Sequence, residues 1–389
     1  MAKQPVKKKV INLDFLNNLK AELKENVAYK PYTFIELGSG FQQAVKLPGI
    51  PEGELTIVHG HSNTGKSSII NEAIVGAQKK GIMPVIIDTE NHFSFQYAKA
   101  FGMDCEPQYG TVVKEQIDTE TGEIHEIEVE EIVNWEGNFV FYNQASLLKK
   151  FGHIDHSTGK TTKSRRALPC IEDVALCIKE LLDAQDQGLI PYDMLFVWDS
   201  VGSIHSYDSL MSSSQQNMRN ANKLKEAFST IIPRITATRN QSSEHLNSAI
   251  FVNKVWNDNM AMGMPTQELW GGEGLKYLSR FMFRLGGVSK ASVTMLNATC
   301  KGELFNYGIE TKVCVTKNQL DSPWTISVKD AKMACVVNGI IPLEKEEEWK
   351  KDNLKTIVEG LKALLAKSGK EEDFNESEIS YESEVFEGE

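Results

Sequence analysis

Apolar residues in this chain fall into short runs separated by longer segments of helical periodicity. Leu55–Val58, Pro84–Asp88, Phe139–Tyr142, Met194–Asp199, Ala249–Asn253 and Phe281–Leu285 are nearly continuous apolar runs, which predict strands buried on both faces. Between several of them lie segments with apolar positions every three or four residues, notably Ser68–Lys80, Ile171–Gln185 and Ser214–Thr238. Strands alternating with helices predict an α/β fold around a mostly parallel central sheet. Ser292–Leu296, Thr311–Thr316 and Trp324–Val328 lack intervening helices and predict hairpins that extend the sheet. A helix over Asn12–Asn26 and another over about Leu343–Lys367 bracket this core. We find no internal repeat.

The predicted organisation is a basic leader with an oligomerisation helix (1–33), a core (34–330), a small C-terminal helical region (331–370) and an acidic tail (371–389). Two segments interrupt the core. Residues 105–137 are acidic and turn at Thr119–Glu123, which predicts a surface hairpin. Residues 149–166 carry Lys149, Lys150, His153, His156, Lys160, Lys163, Arg165 and Arg166, which suits either a hairpin against a nucleic-acid backbone or a solvated loop. No run approaches the roughly 18 apolar residues of a membrane span. The basic start lacks the apolar centre of a signal peptide, so a cytoplasmic location is expected. Six scattered cysteines with no C-x-x-C pair argue for reduced thiols, against a disulfide frame or zinc site.

Net charge is −11, which taken alone argues against a polyanionic partner. The distribution changes that. Residues 371–389 hold nine acids and no Lys or Arg, whereas the first thirty residues hold seven lysines against three acids. A disordered acidic tail on a less acidic body would either compete with a polyanion for basic patches or simply aid solubility.

Gly60-His61-Ser62-Asn63-Thr64-Gly65-Lys66-Ser67 fills every position of the phosphate-loop pattern G-x-x-x-x-G-K-[ST], between a predicted strand and a predicted helix. Such a loop aims backbone N–H groups and a helix N-terminus at phosphate oxygens. Lys66 would reach the β/γ-phosphates and the Ser67 hydroxyl would bind Mg²⁺. Asp199 ends an apolar strand, as a carboxylate that helps hold the metal would. Glu90 lies just past the Pro84–Asp88 run, where a carboxylate can orient an attacking water; a helix-start acid is the plainer alternative. Ser157–Thr161 mimics a second phosphate loop, but Ile154 stands where its first glycine is needed.

Together these segments resemble the RecA family of recombinases, its bacteriophage UvsX branch included. Ile35–Gly40 through Gly53 resembles the family's lead-in to the phosphate loop, Asp88-Thr89-Glu90 with Tyr97 and Phe101–Asp104 its catalytic-glutamate segment, and Trp198–Val201 its metal-binding strand end. Ala249–Asn253 leading to Gly271–Tyr277 resembles its last core strand, DNA loop and double glycine. Lys317-Asn318 resembles the strand end that reaches a neighbour's γ-phosphate. The likeness covers roughly residues 34–330 without the two insertions.

It implies a RecA-type ATPase core that holds ATP and Mg²⁺ through residues 60–67, Ser68, Asp199 and Lys254, with Tyr97 against the adenine. Glu90, Lys66, Lys276 and Lys317 would be catalytic, the last two supplied by an adjacent protomer. DNA contacts would come from Met218, Arg219, Trp256, Met260, Met262, Met264, Trp270, Gly271 and Gly272. Aromatic and apolar side chains on such a loop suit stacking on single-stranded bases. The expected partners are single- and double-stranded DNA, further copies in a helical filament, and mediator or single-strand-binding proteins. Lys254 and Gln319 depart from the family, which has a glutamine and a second lysine there. A helicase-type motor and a scaffold filament without strand exchange are the alternative functions.

Overall fold

The computed structural model describes residues 28–117, 124–212, 217–258, 266–269, 273–320, 331–370 and 374–387, together with Asp14, Asn17, Asn18 and Ala21. Most of the predicted N-terminal helix and the Trp324–Val328 run lie outside the described residues.

The fold is mixed α/β around an eleven-stranded sheet. Its parallel half runs in the order Phe281–Leu285, Leu55–Gly60, Ser248–Asn253, Met194–Asp199, Met83–Asp88, Val140–Asn143. Side chains of the central strands are buried throughout, as continuous apolar runs require when helices cover both faces. One face packs on the helix Lys66–Lys79 through Ile69, Ala73 and Ile74. The other packs on Ile171–Asp186 and Asn217–Phe228 through Val174, Ile178, Leu224 and Phe228. An antiparallel wing continues the sheet from Phe281–Leu285 through the long strand Glu303–Asn318 to Ala331–Val336 and Gly339–Ile341. Val293–Cys300 also pairs with Glu303–Asn318. Among the described residues no helix is long and apolar enough to cross a membrane.

Several expectations need correction. Residues 331–341, expected to open a helical region, are two strands of the central sheet, because Lys332–Val336 pairs across Gly308–Lys312. The helix expected over Leu343–Lys367 is a 3-10 turn, Leu343–Lys345, and two helices, Glu346–Asp352 and Leu354–Lys367, parted at Asn353. The Asn353 side-chain amide donates to Trp349 O at 2.9 Å, so it takes a carbonyl from the end of the first helix. Ser214–Thr238 is likewise divided, into Asn217–Phe228 and Ile231–Ala237.

The acidic tail was expected to be disordered, yet Ser380–Phe386 is a strand paired antiparallel with Val293–Cys300, so that Val293 faces Phe386 and Thr299 faces Ser380. Counting charges hid an alternation: Tyr381, Ser383 and Val385 point one way, Glu382, Glu384 and Phe386 the other. Lys350 Nζ lies 4.7 Å from the Tyr381 ring centroid, Lys290 pairs with Glu387 at 2.7 Å, and Lys301 pairs with Glu378. The tail's charge is thus partly spent on its own body.

The basic insertion is described throughout, and the acidic one on both sides of its expected turn, Thr119–Glu123, which lies outside the described residues. Cys105–Ile117 and Ile124–Gly137 form one long antiparallel ribbon. The basic insertion begins within the helix Gln144–Phe151 and makes only a minimal hairpin, Ile154–Asp155 with Lys160–Thr161. A buried ionic network ties its ends to the core. Asp173 is fully buried and takes Arg166 at 2.6 and 3.0 Å, His156 Nε2 at 2.7 Å and the Cys170 backbone N–H at 2.9 Å. His156, Cys170 and Asp173 bring their ligand atoms within 4.8 Å of one another. The guanidinium of Arg166 also donates to Cys170 Sγ at 2.9 Å, so a cation already fills the place a metal would take.

Burial pushes the Asp173 carboxyl up, but His156, Arg166 and the Cys170 N–H outweigh it and hold it below the ordinary 3.8. A depressed carboxylate stabilises the fold above its unfolded value, and that contribution fades as pH falls through the lower folded value. Asp173→Asn leaves Arg166 buried without its counter-ion and is expected to cost about 3 kcal/mol at neutral pH. Urea unfolding measures it; an unchanged midpoint would show that the network bears no stability.

Candidate nucleotide site

The phosphate loop leaves the strand Leu55–Gly60 and enters the helix Lys66–Lys79. Two glycines are fixed by geometry. Gly65 caps the helix at φ +95°, and a Cβ there would come within 2.9 Å of Cys335 Sγ. A Cβ on Gly60 would collide with Leu285 O. The loop is pinned from both sides: Thr64 Oγ1 donates to His61 O at 2.9 Å, and Thr311 Oγ1 donates to Thr64 O at 3.0 Å. His61 Nε2 lies 3.2 Å from Val288 O. Lys66 Nζ donates to Gly60 O at 3.0 Å and to His61 O. Burial pulls its ammonium down to about 8, with Asp199 and Glu90 acting in the opposite sense.

Asp199 and Glu90 arrive on neighbouring parallel strands, with Asp199 in register with Asp88. Asp88 builds the turn that presents Glu90: its carboxylate accepts from Glu90 N at 3.0 Å and Phe93 N at 2.9 Å. Thr89 locks the same turn, its Oγ1 accepting from Trp198 Nε1 at 2.9 Å while its carbonyl accepts from Gln144 Nε2 at 2.6 Å. Glu90 Oε1 accepts from the Ser200 hydroxyl and lies 3.1 Å from Lys254 Nζ, and His92 Nδ1 is 3.8 Å from Oε2. Burial raises the Glu90 carboxyl, but Ser200 and Lys254 prevail and hold it below the ordinary 4.5. Asp199 goes the other way, pushed up to about 6 by burial and then by the like charges of Glu90 and Asp88.

Lys66, Glu90, His92, Asp199, Ser200 and Lys254 line one cavity of about 600 Å³, together with Gly60–Asn63, Ser67 and Tyr97. A second cavity of about 390 Å³ opens on the other flank of the loop, walled by Met295, Asn306–Ile309 and Cys335–Val337. Tyr97 borders both, and its hydroxyl lies 2.9 Å from Ser68 Oγ. The oxygen donors present, the Ser67 hydroxyl and the Asp199 carboxylate, suit a hard divalent cation. A carboxyl pushed up to about 6 by burial, and then by its acidic neighbours, fits the same ion, whose charge would favour the ionised form.

The remaining expected residues are placed elsewhere. Lys276 is exposed on the helix Glu273–Leu278, and Lys317 lies near the end of Glu303–Asn318; neither lines either cavity. Lys317 Nζ donates to Lys276 O at 2.5 Å and Ser279 O at 2.6 Å, a cation capping a helix C-terminus. Met218 and Arg219 belong to the helix Asn217–Phe228, and Trp256 to a ribbon in which Val255–Asp258 pairs with Thr266–Leu269. Met260, Met262, Met264, Trp270, Gly271 and Gly272 lie outside the described residues. Between the Asp199 strand and the helix Asn217–Phe228 lies a short helix, Tyr207–Met211. Asn220 Oδ1 holds that helix by accepting from Ser206 Oγ at 2.8 Å and Ser209 Oγ at 2.7 Å.

Reading the sequence missed Ser200, His92 and the wall at 306–309 and 335–337. Ser200 adjoins Asp199 and was within reach of the pattern. The wall was not, because pairing between distant strands alone brings it to the loop.

Residues 22–129 match the RecA N-terminal domain. The chain is 31% identical over 100 residues to Protein RecA of Sulfurovum sp., covering 24% of this chain and 29% of that protein. It is 34% identical over 94 residues to Protein RecA of Wolinella succinogenes (22% and 27%) and 38% identical over 66 residues to that of Aquifex aeolicus (17% and 19%). The chain thus spans less than a third of the length of these relatives.

Proposed function

We propose that this chain, a RecA-family protein through residues 22–129, is a DNA-dependent ATPase and recombinase. In this reading it assembles on single-stranded DNA and promotes homologous pairing and strand exchange. One observation carries the ATPase part: the phosphate loop, Glu90 and Asp199 converge on a single cavity from adjoining strand ends. Ser67 and Asp199 would hold Mg²⁺, which offsets phosphate charge when bound. Lys66 would sit against the phosphates, Glu90 would orient the attacking water and accept its proton, and Tyr97 would border the base. Lys276 and Lys317 lie away from this cavity, which supports their being offered to the cavity of a neighbouring copy. Supplying cations in trans would make turnover depend on assembly.

The recombinase part rests on the family likeness and on the Trp256 ribbon, whose apolar residues suit stacking on bases. Lys254 favours a second reading. Its ammonium already occupies Glu90, as suits a filament in which ATP controls assembly and turnover is slow. Hydrolysis measured with and without single-stranded DNA, beside a joint-molecule assay on homologous duplex, tests both. Stimulation with joint molecules is expected. Assembly without either favours the scaffold, and unwinding without joint molecules favours a motor.

A further inference from the structure

The ribbon Cys105–Gly137 is anchored firmly at its base. Cys105 is buried, and Trp135 stacks on Phe95 with centroids 5.3 Å apart and planes 12° apart. Phe95 in turn meets Phe141 edge-on at 5.0 Å. Beyond that base the two strands pair only with each other. At roughly 3.4 Å per residue, a strand of this length extends about 40 Å.

A bare two-stranded ribbon is marginal in water, and this one carries ten acids against one lysine, Lys114. Its register concentrates them. Glu115 faces Glu126, Glu128 faces Val113 and Glu130 faces Thr111, so four carboxylates share one side with exposed Tyr109, Val113 and Ile124. Like charges directly opposite destabilise a ribbon. Such a face gains most from a cationic surface that also takes apolar contact, and it repels nucleic acid.

The chain itself carries the complement. Lys160, Lys163 and Arg165 are exposed on the basic insertion, make no ion pair among the described residues, and stand near exposed Leu168. We propose that the ribbon Cys105–Gly137 is an intersubunit arm whose Glu126–Glu130 face seats on the Lys160–Arg165 segment of a second copy of this chain. One acidic arm and one basic seat per copy make a head-to-tail contact, which propagates where a two-fold contact would close. This rests on the assembly part of the reading above, and not on its catalytic part.

Charge reversal in the full-length protein tests it. Glu126→Lys with Glu128→Lys and Glu130→Lys, and separately Lys160→Glu with Lys163→Glu and Arg165→Glu, should each raise the concentration needed for ATP-dependent assembly about tenfold. The six changes together should restore it to within about twofold, which neither misfolding nor lost DNA contact would do. Sedimentation velocity without DNA reads the assembly, and nucleotide binding confirms that each variant is folded. Wild-type assembly by the arm variant, or no rescue in the combined one, overturns the arm and leaves the assembly reading standing. A wild-type chain that never assembles overturns both.

Discussion

Lys66→Ala is expected to lower nucleotide turnover by about a thousandfold and to weaken triphosphate binding sharply. The ammonium is buried and donates to the Gly60 and His61 carbonyls, with Asp199 and Glu90 favouring its charge but not enough to offset the loss of bulk water. Burial has already drawn it down to about 8, so a group that costs the fold is kept at the mouth of the cavity. A cation so poorly solvated gains most when phosphate oxygens arrive. The linkage has a definite sign: between about 8 and the ordinary 10.5 the unfolded chain binds the proton and the folded chain does not, so stability rises with pH across that window. Alanine should flatten this rise while it abolishes turnover. Phosphate release, equilibrium nucleotide binding and unfolding at pH 8 and 10 check the three parts. Wild-type turnover in the variant would remove the loop from catalysis.

Glu90→Gln is expected to cut turnover by about a hundredfold or more while leaving nucleotide affinity within a few-fold of wild type. Glutamine keeps the shape and can still accept from the Ser200 hydroxyl, but it offers no base and no counter-ion to Lys254. Removing that charge also removes the larger of the two like charges that add to burial in raising the Asp199 carboxyl to about 6. Asp199 should therefore ionise at lower pH in the variant, and a divalent cation should bind at least as tightly. Loss of binding together with turnover would make Glu90 a structural support of the site. Near-normal hydrolysis would pass the base role to another group. Lys254→Gln adds a contrast: if the ammonium restrains Glu90, turnover should rise when it is removed.

What could be read from the sequence was local in character. The phosphate loop, the strands carrying Glu90 and Asp199, and the alternation of strand and helix each follow from residues close together in the chain. Pairing between distant segments could not be read that way. The strands at 331–336 and 339–341 are short and the one at 380–386 is polar, and all are placed by edges supplied elsewhere in the sheet. The helix break at Asn353 hides in a periodic segment, because one asparagine, whose backbone and side-chain N–H groups both donate to Trp349 O, leaves the apolar spacing unchanged. Lys317 shows the same limit at the site. The family resemblance implies a reach to a neighbour, but its cap on the Glu273–Leu278 helix appears only once the fold is built.

The strand Glu303–Asn318 touches two places that matter. Thr311 holds the phosphate loop, and Lys317 stands six residues further along. An extended strand scarcely stretches, so the distance from one copy's own nucleotide to the lysine it would offer the next is fixed at about 20 Å. Between Thr311 and Lys317 the register breaks once, beside Thr316, where slack can enter, and Thr316 Oγ1 there lies 3.1 Å from His59 Nε2. The strand would thus act as a ruler for the repeat, its length setting how far apart successive nucleotides sit.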